Sequence, residues 1–192
     1  MKNENGVTIQ RDKFLTKDEL KTFLKTVRQH YKSGFKYKEK NLRDYLVFRL
    51  AYLHGMRISE VLTLKWCDVN FDDNLIFINR LKNSMSANQI MKPDEAKDLK
   101  RLRNLGWSSI FVFVNPNGTT LTRQNYNIVC NKIAKECGLT ISPHSFKHTC
   151  AVHLALAGKN IREIQHHLGH KDLENTLIYL NYSPTGDAND LI

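Results

Sequence analysis

Ser142–Tyr182 reads SPHSFKHTCAVHLALAGKNIREIQHHLGHKDLENTLIYLNY, and the placement of its helix breakers predicts three helices in succession. Ser142 caps the first, Pro143 takes its first position, where a missing N–H is no loss, and Gly158 closes it. His144 and Lys147 then lie three residues apart, project from one face and can converge on a single anion. Ile161, Ile164 and Leu168 predict a second helix ending at Gly169, which leaves His170 at a turn with its ring free to enter a cleft. Leu173, Leu177 and Leu180 predict a third, carrying Tyr179 nine residues after His170, with Tyr182 one turn on. Singly, such a histidine is an ordinary solvated or packing residue and such a tyrosine an ordinary core residue. Together, in a basic chain, they are the parts of a phosphate-handling site.

The whole sequence favours a polyanionic partner. Its 192 residues suffice for one well-buried domain and are few for two. A formal net charge of +10 and a sequence pI near 9.5 supply phosphate contacts in excess. No apolar run approaches the roughly 18 residues of a membrane span, and MKNENGVTIQRDKF has no signal-peptide core, so a cytoplasmic protein without membrane contact is expected. Cys67, Cys130, Cys137 and Cys150 form no C-x-x-C pair and are expected as buried free thiols.

Upstream, residues 1–13 are polar and expected to be flexible, and 14–192 to form one domain. Thr16 with Glu19 makes a capping box for a helix to about Tyr31. Lys32–Lys40, in which Phe35 and Tyr37 interleave with lysines, is expected as a solvated basic loop. Leu42–His54 is apolar enough for a central helix, stopped by Gly55. Arg57 and Glu60 follow at i, i+3, a spacing that alone implies no more than a surface ion pair. Leu75–Ile78 and about Asn88–Met91 predict two strands, with a turn near Asn83-Ser84 and with Arg80, Lys82 and Lys92 in the same stretch. Pro93 opens a helix bearing Leu99, Leu102 and Leu105. Ile110–Val114 reads as a strand, and Thr122 caps a helix running to Gly138. The fold class expected is mainly α with a small antiparallel β-sheet.

The order His-x-x-Lys-His, Leu-Gly-His and then Tyr resembles the C-terminal motifs of the tyrosine recombinases, the lambda-integrase family. HGMRISEVLTLKWCDV, residues 54–69, resembles their first motif, and the resemblance runs from about Phe14 to Tyr182. It implies Arg57 as the first catalytic arginine, Glu60 as its acidic support, Lys82 as a mobile catalytic lysine, and Tyr179 as the nucleophile. His144, Lys147 and His170 complete the implied catalytic set, with His148 in a supporting role. The family usually has arginine where this chain has Lys147, which keeps the charge and loses the bidentate fork. The implied activity is site-specific strand breakage and rejoining of double-stranded DNA through a 3′-phosphotyrosyl link, with no metal and no cofactor. The implied assembly is a homotetramer on paired sites, with host DNA-bending proteins as possible helpers.

Within the family, the chain looks most like the short fimbrial-switch invertases. RLKNSMSANQIMKPDEAKDLKRL, residues 80–102, resembles their central segment, and no separate N-terminal clamp domain is expected. Met1 and an end soon after Tyr179 lead us to expect an invertase rather than the catalytic fragment of a mobile-element integrase. Lys147 also leaves open a catalytically silent DNA-binding regulator of the same fold. A zinc protein is the remaining alternative, from the i, i+4 pairs His144/His148 and His166/His170, but neither pair has a Glu or Cys at ligand spacing.

Overall fold

The computed structural model describes residues 13–31, 35–81 and 84–183, with backbone alone for 35–37. Its helices are α1 (Lys17–Gln29), α2 (Phe35–Leu53), α3 (Ile58–Leu62), α4 (Pro93–Arg103), α5 (Arg123–Glu136), α6 (Ser145–Leu156), α7 (Ile161–Leu168) and the single-turn α8 (Glu174–Leu177). Three short strands, β1 (Val69–Asn70), β2 (Leu75–Ile78) and β3 (Ala87–Ile90), pair antiparallel in chain order, with Val69 opposite Ile76 and Phe77 opposite Asn88. The mainly α architecture with a small antiparallel sheet is the one expected. Among the described residues no helix is long and apolar enough to cross a membrane.

A helix buried on all sides must be covered on all sides, and α2 is such a helix from Asn41 onward. Leu42, Leu46, Val47, Phe48, Leu50 and Ala51 are buried, and α1, α3, α4 and α6 pack around them. Phe23 of α1, Phe48 of α2 and Phe146 of α6 meet with ring centroids 5.1–5.2 Å apart. Truncating such a ring to alanine costs about 3–5 kcal/mol. Buried polar groups pin α2 in two places. At its midpoint, Asp44 accepts from Arg43 Nε and from the Tyr126 hydroxyl, both at 2.9 Å. Just past its end, His54 sits 2.6 Å from Glu95 of α4 and 2.8 Å from Gln89 of β3. The chain leaving α2 toward Arg57 is therefore held in place. Almost all of α6 is buried, and it also serves a second core of Phe14, Cys150, Ala151, Val152, Ala155, Ile164, Leu168 and Tyr179.

Local signals set several boundaries. Thr16 and Thr122 accept from the N–H of Glu19 and Asn125 as capping boxes, and Asn160 does the same with Glu163 for α7. Elsewhere the expectations need correction. Phe35–Lys40 is the first part of α2, not a loop, because nothing between Phe35 and Leu53 breaks a helix. Ile110–Val114 forms no strand ladder. It makes isolated bridges, Phe111 with Lys65 and Val114 with Thr120, and its apolar side chains mark burial of an extended segment. α6 starts at Ser145, so Ser142 does not cap it and His144 occupies the cap position. The third helix of the C-terminal stretch shrinks to α8, followed by a turn and a 3-10 segment from Leu180 to Tyr182. Cys130 and Cys150 are buried and Cys137 half-buried, but Cys67, in the 3-10 turn Trp66–Asp68, is exposed. The expected flexible N-terminus lies, but for Lys13, outside the described residues.

Candidate active site

The site begins where α2 ends. Gly55, at φ +55°, turns the chain, and Arg57 takes the N-cap position of α3. Its N–H and guanidinium both donate to the buried carboxylate of Glu60, at 2.9 and 2.8 Å. The rest of the guanidinium stays partly open, with 30% of the side chain exposed. Glu60 also accepts from Arg80 Nη1 at 3.1 Å and from the Leu81 N–H at 3.3 Å. Burial pushes its pKa up, but the Arg57 N–H, Arg80 and Lys147 outweigh it and hold the carboxylate ionised.

Arg80 is the residue that sequence reasoning undervalued, naming it only, with Lys92, as an alternative to Lys82. It is buried, and it donates at 2.7 Å to the carbonyls of Gly55, His54 and His167. It thus ties the end of α2, the strand β2 and the end of α7 together. A signal for it existed. Ile76 and Ile78 face inward on β2, and Arg80 continues the same alternation just past its end, so a period of two carries the guanidinium inside.

On α6, Lys147 is buried and its Nζ donates to the Leu168 carbonyl at 2.7 Å. Burial and then Arg80 lower its pKa to about 7; Glu60 opposes them, and Arg57 adds a smaller lowering. His148, one residue on, places Nδ1 2.9 Å from the hydroxyl of Tyr179. Tyr179 is itself buried in the second core, and burial raises its pKa. His144 is solvent-exposed and packs edge to face against His148, with centroids 4.6 Å apart. Desolvation of its packed edge, then Arg57 and Lys147, lower its pKa.

His170 follows the left-handed Gly169 that ends α7. Its Nδ1 lies 3.0 Å from the hydroxyl of the buried Thr176, a partner with no sequence signal beyond its place in α8. Burial, then Lys147, Arg57 and Arg80, bring its pKa down to about 3, so the ring is neutral. The Gly169 carbonyl accepts from the Met85 N–H at 2.9 Å and thereby docks the β2–β3 connection against this turn. Lys82, the expected catalytic lysine of that connection, lies outside the described residues. Its alternative Lys92 is exposed at the N-cap of α4.

Arg57, His144, Lys147, His148, His170 and Tyr179 line one open pocket of about 460 Å³, with Ser84, Lys171, Asp172, Asn175 and Ile178. The expected residues therefore converge, Lys82 excepted. Glu60 spends its charge on Arg57 and Arg80, so the pocket presents the Arg57 cation, joined below about pH 7 by the Lys147 ammonium, beside neutral imidazoles. Such a concavity attracts a phosphate and can neutralise charge developing on its oxygens. Among the described residues no three metal-ligating side chains gather.

Comparison with known proteins adds the following. Residues 13–185 match the model of the phage integrase family. The type 1 fimbriae regulatory protein FimE of Escherichia coli K12 is 34% identical over 145 residues, which cover 71% of this chain and 73% of FimE. FimB of the same strain is 28% identical over 183 residues, 92% of this chain and 88% of FimB. The crystal structure of the XerH site-specific recombinase bound to its difH substrate superposes with a TM-score of 0.73 at 22% identity. It covers 99% of this chain, which spans only 57% of the XerH chain.

Proposed function

The chain belongs to the phage integrase family of tyrosine recombinases, and on that footing we propose that it breaks and rejoins double-stranded DNA at specific sites through Tyr179. The observation that carries the reading is the meeting of Arg57, Lys147, His170 and Tyr179 around one pocket. Tyr179 attacks a phosphodiester, the Tyr–O–P bond forms as the bond to the 5′-oxygen breaks, and the 3′-phosphotyrosyl link stores the bond energy. Arg57 and Lys147 neutralise the non-bridging oxygens, and His170, held by Thr176, donates a hydrogen bond to one of them. Lys82 protonates the leaving 5′-oxygen, and His144 assists proton transfer. Glu60 and Arg80 keep Arg57 aimed.

We assign residues 14–192 to one catalytic domain working in the cytoplasm and as a tetramer on two duplexes, with help from DNA-bending proteins. The likeness to FimE and FimB favours inversion of a promoter switch over integration or excision. A second reading, a DNA-binding regulator without catalysis, draws on the inward turn of Lys147 toward the Leu168 carbonyl.

Trapping decides between them. The purified chain is incubated with end-labelled nicked duplexes carrying sites it selects from a randomised pool, and adducts are scored on a denaturing gel. The wild-type chain and Tyr182→Phe are expected to form an adduct, and Tyr179→Phe none. Binding without an adduct by the wild type favours the silent regulator, and an adduct from Tyr179→Phe removes the nucleophile assignment.

A further inference from the structure

We infer that His148, rather than His144, takes the proton from the Tyr179 hydroxyl as that oxygen attacks phosphorus, because His148 Nδ1 sits 2.9 Å from it within the pocket. The inference rests on the recombinase reading and adds a catalytic residue to it. Geometry separates the two histidines. α6 begins at Ser145, which leaves His144 outside the helix at its cap and exposed, touching His148 edge to face. His148 lies one turn further on, inside the helix, with its ring against the tyrosine, the centroids 6.2 Å apart. Among the described residues His144 makes no hydrogen bond to Tyr179.

The surroundings demand such an acceptor and keep this one unprotonated. Tyr179 is 2% exposed, so its proton has little access to bulk water, and burial makes the free phenolate costly. The proton must therefore leave in step with the attack, to a group already in contact. Burial, then His144, Lys13 and Lys147, all oppose a charge on His148 and bring its pKa down to about 4. The ring is then neutral near pH 7, with its hydrogen on Nε2 and the Nδ1 lone pair toward the hydroxyl. As the Tyr–O–P bond forms, this proton moves to Nδ1, while the leaving 5′-oxygen gains one from the general acid. When a 5′-hydroxyl later attacks the phosphotyrosine, the imidazolium returns its proton to the departing tyrosine oxygen.

The test uses the full chain and a nicked duplex selected from a randomised pool by the wild-type protein. In it the scissile 5′-oxygen is replaced by sulfur, a leaving group that needs no acid. His148→Gln is expected to form the adduct about a hundredfold or more slowly than the wild type on this substrate, with DNA affinity unchanged. The rate of His148→Gln relative to wild type should climb roughly tenfold per pH unit, since hydroxide now removes the proton. A purely structural loss leaves that ratio constant, and a constant ratio or a loss below tenfold overturns the inference. Nitrogen-15 NMR supplies a readout independent of turnover. His148 is expected to carry its hydrogen on Nε2, with an Nδ1 resonance that shifts in Tyr179→Phe. A hydrogen on Nδ1 overturns the inference even if the variant folds poorly. An inactive wild-type chain overturns the recombinase reading itself, a result distinct from an active chain indifferent to His148.

Discussion

Burial, and next to it Arg80 and Arg57, bring the pKa of Lys147 down to about 7, so above neutrality the free protein holds a largely uncharged amine where the family carries a permanent cation. A phosphate entering the pocket stabilises the ammonium and raises that pKa again. The sign follows from linkage. Below pH 7 the amine is already protonated and affinity is indifferent to pH, while above it binding must take up a proton, so affinity falls as pH rises, by up to about tenfold per unit. Calorimetric titration with a site-bearing duplex at pH 8, in buffers of different ionisation enthalpy, should show uptake approaching one proton. Lys147→Arg should abolish the uptake and keep the adduct. Equal uptake by both proteins would exclude Lys147 as its source. At this scale the turn before His170 was legible from the helix stop at Gly169, whereas Arg57, Lys147 and Tyr179 were expected at one site from the resemblance rather than from caps or helical period. The choice between His144 and His148 was not legible, because that depends on a helix start two residues later than Ser142-Pro143 implies.

One joint between elements of the site is a backbone contact at a glycine, from the Met85 N–H to the Gly169 carbonyl. Gly169 ends α7 at φ +69°, and a methyl group there would come within 2.6 Å of the Met85 carbonyl oxygen and 2.8 Å of Arg80 Nε. Gly158, after α6, has a similar φ of +72° but nothing within 4 Å. Alanine at either position pays the left-handed penalty of about 1–2 kcal/mol, and only Gly169→Ala also displaces the β2–β3 connection. We expect Gly158→Ala to lower the urea midpoint modestly and keep DNA cleavage. Gly169→Ala should lower it further, remove hydrogen-exchange protection from the Met85 amide and cut adduct formation at least tenfold. Identical behaviour of the two variants would show that the contact between α7 and the β2–β3 connection has no bearing on the site. The capping boxes at Thr16 and Thr122 were readable because both partners lie within four residues. The Ile110–Val114 segment was not, since its bridges to Lys65 and Thr120 are decided by tertiary neighbours.

For the whole molecule, three half-buried histidines, His148, His167 and His170, are held uncharged around the junction of α6, α7 and the C-terminal turn, which makes stability as well as chemistry sensitive to acid. Burial is the first cause in each case and brings the pKa of His148 and His167 to about 4 and that of His170 to about 3. In the unfolded chain such groups titrate near 6.5. Between these values the unfolded state binds more protons than the folded state, so stability falls as pH drops from about 6.5 toward 4. Lys147 does not add to this slope, because below pH 7 it is protonated in both states. The lowered pKa of Glu60 acts in a separate, more acid window, its contribution being present above the unfolded carboxylate value and lost as pH falls through the folded one. The urea midpoint is therefore expected to drop between pH 7 and 4.5, by a few kcal/mol of unfolding free energy in order of magnitude. Growing repulsion on a chain of formal charge +10 acts in the same direction, so one variant separates the two causes. His167, whose Nε2 lies 2.9 Å from the Leu53 carbonyl, takes no part in the pocket. His167→Gln retains a donor for that carbonyl while removing a titration, and it should be less stable at pH 7 yet lose visibly less between pH 7 and 4.5. An unchanged slope in His167→Gln would assign the acid sensitivity to net charge instead.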